Sequence, residues 1–130
     1  MSHVPPDLKY TKTHEWLRAL PGGEIEMGIT DHAQHALGDL VFVEVPQAGR
    51  SLAAGEACAV IESVKAASDL YCPFAASVVT GNPELAHSPE LINEDPYGRG
   101  WVMRVRPSAA GALAGLLAAA DYQALVASEP

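Results

Sequence analysis

Glu62-Ser63-Val64-Lys65-Ala66-Ala67-Ser68-Asp69 stands at the middle of the chain, between two runs with strand character. Ala57-Cys58-Ala59-Val60-Ile61 precedes it; Leu70-Tyr71-Cys72 follows, and past Pro73-Phe74 comes Ser77-Val78-Val79. Two strands joined by a few small polar residues read as a β-hairpin, here about residues 57–73, with Lys65 at or near its tip. The chain has three lysines, and the other two, Lys9 and Lys12, lie near the N-terminus. A lysine on a hairpin tip is ordinarily a solvated charge. Here Ala66 and Ala67 leave the ammonium uncovered, while Glu62 and Asp69 mark both approaches to it.

Working outward, 130 residues suit one domain, taken as 1–130, large enough to bury about two-thirds of its unfolded surface. A hydrophobic content of 48% is that of a globular protein. The net charge of −8 argues against nucleic-acid binding, because nothing would neutralise phosphates. The most apolar run, Ala109 to Ala120, is twelve residues long and broken by glycines, too short for a membrane span of roughly 20. Met1 to Lys9 carries prolines and an aspartate and lacks the pattern of a targeting segment, so a cytoplasmic, bacterial protein is expected.

Cys58 and Cys72 lie seven residues either side of Lys65, and a symmetric hairpin would bring them near each other. A reducing cytoplasm disfavours a disulfide, so two buried free thiols are expected. Two cysteines so spaced are no metal framework. His32 and His35 sit at i, i+3 on a short helix, but no third ligand is signalled.

Before the hairpin, Tyr10 to Arg18 and Glu24 to Ile29 flank the turn Pro21-Gly22-Gly23 and form a first hairpin, with Ile25, Met27 and Ile29 facing inward. Thr30 caps a helix over 32–37 and Gly38 suits its left-handed exit. Leu40 to Val45 is almost wholly apolar and reads as a strand buried on both sides. After the hairpin, Asn82-Pro83 and Ser88-Pro89 each open a helical turn, and Asp95-Pro96-Tyr97-Gly98 fits a type I turn. Trp101 to Arg106 alternates, with Trp101, Met103 and Val105 inward. A C-terminal helical segment over about 108–127 is expected in two pieces, one capped by Ser108 and bearing Leu113, Leu116 and Leu117, one bearing Tyr122, Leu125 and Val126. The resulting fold class is mainly β: two small antiparallel sheets packed as a flattened sandwich, with short peripheral helices and a C-terminal helix.

The Lys65 hairpin resembles the modification hairpin of lipoyl and biotinyl carrier domains, and the likeness extends further. Tyr10-Thr11-Lys12-Thr13-His14-Glu15-Trp16, Ile29-Thr30-Asp31-His32-Ala33-Gln34, Leu37-Gly38-Asp39-Leu40-Val41-Phe42-Val43-Glu44, the octapeptide around Lys65 and Asn93-Glu94-Asp95-Pro96-Tyr97-Gly98 are all similar to the H protein of the glycine cleavage system. They fall in that family's order and spacing from about Lys9 to Val126. One departure is Ala75-Ala76-Ser77, where the family usually has Ser-Gly-Glu; a glycine that needed positive φ there would leave Ala76 strained.

The resemblance implies a barrel-sandwich hybrid and lipoic acid in amide linkage to Lys65, within the motif of Glu62, Ser63, Val64, Ala66, Ser68 and Asp69. It also implies a cycle. The arm accepts an aminomethyl group from a pyridoxal-phosphate glycine decarboxylase and delivers it to a folate-dependent aminomethyltransferase. A dihydrolipoyl dehydrogenase then reoxidises it, and a lipoyl ligase or transferase installs the arm at the outset. A monomeric carrier that catalyses no step is expected. The resemblance points to the Thr13–Trp16 segment and to the stretch after the lysine for a cleft that holds the loaded, protonated arm, with Glu15 and Asp69 as its carboxylates and Thr13 and His35 as further candidates for hydrogen bonds to the amine. Alternatives are a carrier that relays lipoyl groups to other lipoyl domains, or a Schiff-base lysine enzyme, which would require a desolvated Lys65. Biotin fits poorly, since Val64-Lys65-Ala66 lacks the Met-Lys-Met of biotin sites.

Overall fold

A computed structural model describes residues 3–129. Among these residues, nine strands form two antiparallel sheets. The larger has the order β1 (Lys9–Tyr10), β2 (Glu15–Ala19), β3 (Ile25–Ile29), β9 (Met103–Pro107), β8 (Ala76–Gly81), β5 (Ser51–Leu52). The smaller has the order β4 (Leu40–Glu44), β6 (Glu56–Ser63), β7 (Ala67–Cys72). Short helices α1 (Asp31–Leu37) and α2 (Leu91–Glu94) sit in the connections, and α3 (Ala119–Ser128) closes the chain. This is the two-sheet, mainly β arrangement expected of a lipoyl- or biotinyl-type domain.

Two apolar clusters hold it together. The main one includes Met27, Val43, Ile61, Leu70, Val78, Met103 and Val105, drawn from both sheets. The second contains Leu8, Tyr10, Trp16 and Tyr122, packed with Leu125 and Val126 of α3. Tyr10 and Tyr122 stack with ring centroids 4.6 Å apart. Because one cluster lies on each side of it, every residue of β3 is buried, including the polar-phase Glu26 and Gly28. Glu26 is paired there with two arginines on neighbouring strands. Arg18 lies 2.7 Å and Arg104 3.0 Å from its carboxylate, and their guanidinium groups stack over Trp16 and Trp101 respectively.

Several local readings hold. Thr30 Oγ1 accepts from the Ala33 amide at the start of α1, and Gly38 ends it at φ 83°. Asn82 caps a 3-10 turn over Pro83–Ala86, and Ser88 opens the turn leading into α2 by accepting from the Leu91 amide. The Gly98 amide closes the Asp95 turn at 3.2 Å. Ala76 is unstrained: it is an extended residue of β8 paired with Leu52 and Pro107, and the turn is made before it.

Four expectations need correction. β4 is not buried on both sides: it is an edge strand with an irregularity between Leu40 and Phe42, leaving Val41 56% and Phe42 49% exposed. Residues 108–118 are not helical but a series of turns. Gly111 adopts φ 78°, a conformation incompatible with a helix, and Leu117 is tied to Tyr10 by a β-bridge. Of the segment 108–127 expected to be helical, only the part from Ala119 is so, in α3. β9 begins two residues later than its alternation suggested: Val102 is fully buried, while Trp101 is partly buried with Arg104 over its ring. Finally, Cys58 and Cys72 do not face each other. The hairpin is centred between Val64 and Lys65, and Cys58 occupies an irregularity in β6, so Cys72 pairs with Glu56.

Candidate functional site: the Lys65 turn and the Glu15 cleft

Glu62 pairs with Ala67, so four residues, Ser63 to Ala66, turn the chain between β6 and β7 with Val64 and Lys65 at the apex. Ser63 pins the turn. Its amide donates to the Ala66 carbonyl at 2.7 Å, and its Oγ accepts from the Lys65 and Ala66 amides at 3.3 and 3.1 Å. Its hydroxyl proton goes to the Ala66 carbonyl at 3.2 Å. The backbone under the lysine is therefore held while its side chain is exposed.

Beside the turn lies the junction of α1 and β4. The Val64 amide approaches the Asp39 carbonyl at 3.4 Å, and a β-carbon built on Gly38 would lie 3.5 Å from Lys65 Cε. Asn93 braces this junction through three hydrogen bonds. It accepts from the Leu40 amide and donates to Gln34 Oε1 and to the Gly38 carbonyl. Glycine at 38 thus serves both the positive-φ end of the helix, where ψ is extended and not left-handed helical, and the space along the lysine stem. Val64 (75% exposed) joins Val41 and Phe42 as large apolar side chains left open to solvent next to Lys65.

The residues expected to line an arm cleft are only partly brought together. Thr13 and Glu15 share a cleft of about 420 Å³ with Thr11, Gly55, Tyr71 and Pro73. Glu15 is 1% exposed. Its Oε1 accepts from the Thr11 and Thr13 hydroxyls, and its Oε2 accepts from the Tyr71 amide at 3.1 Å, joining β2 to the hairpin strand β7. Burial raises the Glu15 pKa above the usual carboxylate range, although these hydrogen bonds oppose it. Asp69 lies on β7 two residues before Tyr71 and lines a different hollow of about 560 Å³, with Glu44, Val60 and Arg50. His35 is turned to its own helix, 3.5 Å from Asp31.

Both cysteines are buried free thiols. Cys58 donates to the Leu70 carbonyl and Cys72 to the Phe74 carbonyl. Desolvation pushes the Cys58 thiol up to about 12 and raises Cys72 in the same direction, which makes both poor nucleophiles. Sequence reasoning missed Tyr71 and Thr11 as cleft residues. Tyr71 enters through its backbone amide and Thr11 through a loop that folds its hydroxyl back onto Glu15, and no side-chain pattern announces either.

A flattened β-sandwich presenting one lysine on a braced hairpin turn defines a carrier domain of the lipoyl/biotinyl type. Comparison with known proteins narrows the class. The family model described as Glycine cleavage H-protein matches residues 8–129. The chain is 58% identical over 129 residues to the glycine cleavage system H protein of Halorhodospira halophila, covering 99% of each. It is 54% identical to that of Aeromonas salmonicida, covering 99% of this chain and all of that protein. The crystal structure of a glycine cleavage system H protein from Mycobacterium marinum superposes with a TM-score of 0.84 at 42% identity, covering 93% of this chain and 97% of that one. The chain belongs to the glycine cleavage H-protein family. It is a carrier and not an enzyme, and family membership implies a lipoyl-lysine site and a place in the glycine cleavage system. Among the described residues, no helix is long and apolar enough to cross a membrane.

Proposed function

We propose that Lys65 is the lipoylated residue and that the domain shuttles the aminomethyl group derived from glycine. Its partners would be a pyridoxal-phosphate glycine decarboxylase, a folate-dependent aminomethyltransferase, a dihydrolipoyl dehydrogenase, and the ligase or transferase that loads it. The observation that carries this reading is the Ser63–Ala66 turn, whose four hydrogen bonds from a single serine hold Lys65 at an exposed apex. The residues present fit the group. Alanines follow the lysine, Gly38 leaves room along its stem, and an amide-linked arm from a fixed base acts at high effective concentration on successive partners. The arm supplies a disulfide that can be reduced and can take up the one-carbon unit as an amine. Open exposure of Lys65 also argues against the Schiff-base alternative, which needs a desolvated amine.

For the loaded state, we place the amine in the Thr13–Glu15 cleft. An ionised carboxylate offers about four lone-pair positions, and three on Glu15 are filled by Thr11, Thr13 and the Tyr71 amide. Glu15 lines a cleft whose other lining residues carry no cation. An ammonium there would favour the charged carboxylate and offset its burial. Asp69, on the same face of β7 as Tyr71, would add attraction at the approach, whereas His35 is committed to Asp31.

The test is intact mass and glycine-dependent NADH formation with the three partner enzymes. Wild type is expected to take one lipoyl adduct and support turnover. Lys65→Arg keeps the charge without an acylatable primary amine and is expected to lose both completely. A lipoyl adduct on Lys9 or Lys12 in that variant would refute the assignment.

A further inference from the structure

Away from the hairpin, three ligating side chains converge from distant parts of the chain: His14 before β2, His32 in α1 and Glu129 just beyond α3. Glu129 Oε1 lies 3.3 Å from His14 Nε2 and 3.4 Å from His32 Nε2. One ligand atom from each residue lies within 4.8 Å of the other two. Tetrahedral zinc with bonds of about 2.0–2.1 Å sets neighbouring ligand atoms about 3.3–3.4 Å apart. Two edges of a coordination triangle therefore already have the required length, and the third lies within 4.8 Å.

His14 is also oriented from behind, as metal-bound histidines are. Its Nδ1 lies 2.7 Å from the Tyr122 hydroxyl, which lies 2.7 Å from Thr30 Oγ1. Tyr122 and Thr30 are both fully buried. Thr30 Oγ1 already accepts from the Ala33 amide, and it can accept the Tyr122 proton as well. Tyr122 Oη would then accept from Nδ1–H, leaving Nε2 as the ligating nitrogen once a cation replaces its hydrogen bond to Glu129. His14 is moreover the one non-glycine residue at positive φ among those described (72°), a strain of the kind that persists where a side chain must be aimed.

We propose that His14, His32 and Glu129 form a site for a divalent cation of the zinc class, completed by water. Occupancy would fasten the C-terminal end of α3 to α1 and to the loop that carries Thr13 and leads into Glu15 of β2. The donor set of two imidazoles and one carboxylate suits Zn²⁺ or Co²⁺ more than Mg²⁺ or Ca²⁺, which prefer oxygen. This inference does not depend on the assignment of Lys65.

The experiment uses untagged full-length protein freed of metal by chelation. It is titrated with Zn²⁺ against a chromophoric chelator, and with Co²⁺ followed by visible absorption. One equivalent is expected to bind, with intense tetrahedral Co²⁺ bands. Affinity should fall at least about tenfold in His32→Ala and Glu129→Gln, and also in Tyr122→Phe, which keeps the ring and removes the hydroxyl behind His14. His35→Ala and His87→Ala should bind as wild type does. Absence of stoichiometric binding, octahedral Co²⁺ spectra, or affinity unchanged in both His32→Ala and Glu129→Gln would overturn the proposal.

Discussion

In β3 of the larger sheet all five residues are buried, whereas in β7 of the smaller sheet only Leu70 and Cys72 are. The strands have similar length and antiparallel neighbours on both sides or one, so propensity does not account for the contrast. Cover does. The face of the larger sheet turned away from the main core is roofed by Trp16, Tyr97, Trp101 and α3, while the corresponding side of β4, β6 and β7 carries Phe42, Asp69 and Tyr71 into solvent. The molecule thus concentrates its rigidity in a doubly covered sheet and leaves the other open around its lysine. Such an asymmetry suits a carrier, whose attachment residue has to be reached without unfolding its base.

The contrast can be broken most severely at Gly28. It pairs with Trp16 across β2 and β3, and a β-carbon there would come within 2.7 Å of the indole nitrogen. That nitrogen donates to the Pro96 carbonyl, so displacement of the ring also unmakes a buried hydrogen bond. Gly28→Ala is expected to lower stability by about 2–3 kcal/mol, read as an earlier midpoint in urea with a shifted tryptophan emission. An unchanged midpoint would mean that the second cluster contributes little to holding the larger sheet.

A smaller effect is expected at the hairpin. Ser63→Ala removes the hydroxyl that accepts from two amides and should lower stability by about 1 kcal/mol. Hydrogen exchange at Lys65 and Ala66 should accelerate more than at Met27 or Met103, since the loss is confined to the turn. Uniform acceleration across both sheets would contradict that locality. The smallest effect is expected at Val41→Thr, a near-isosteric change on the open edge strand. Stability should stay within about 0.5 kcal/mol of wild type, checked by the same denaturation. A larger loss would show that β4 is more deeply packed than its exposure indicates.

Features that depend on near neighbours in the chain were legible beforehand. Thr30 and Gly38 bound α1 because capping and a positive-φ glycine exit need only the adjacent backbone. Asp95 to Gly98 turns because proline presets one dihedral angle and glycine relieves another. The hairpin around Lys65 was visible because two apolar strands flank small polar residues. By contrast, Leu40 to Val45 was misread, since apolar content cannot distinguish a strand covered twice from one at a sheet edge. Residues 108–118 were misread because leucines at helical spacing do not outweigh Gly111 at positive φ and the pull of Tyr10 on Leu117.

Sequence alone therefore determined the strand and turn order, the one lysine placed at a hairpin apex, and the family likeness, all of which are written in local spacing. Tertiary structure decided which faces are covered, that Glu15 reaches the Tyr71 amide across 56 positions, and that His14 and His32 meet Glu129 at the far end of the chain. Such meetings depend on how two sheets and a terminal helix pack. Packing is a property of summed burial over the whole fold and is not encoded in the spacing of any single segment.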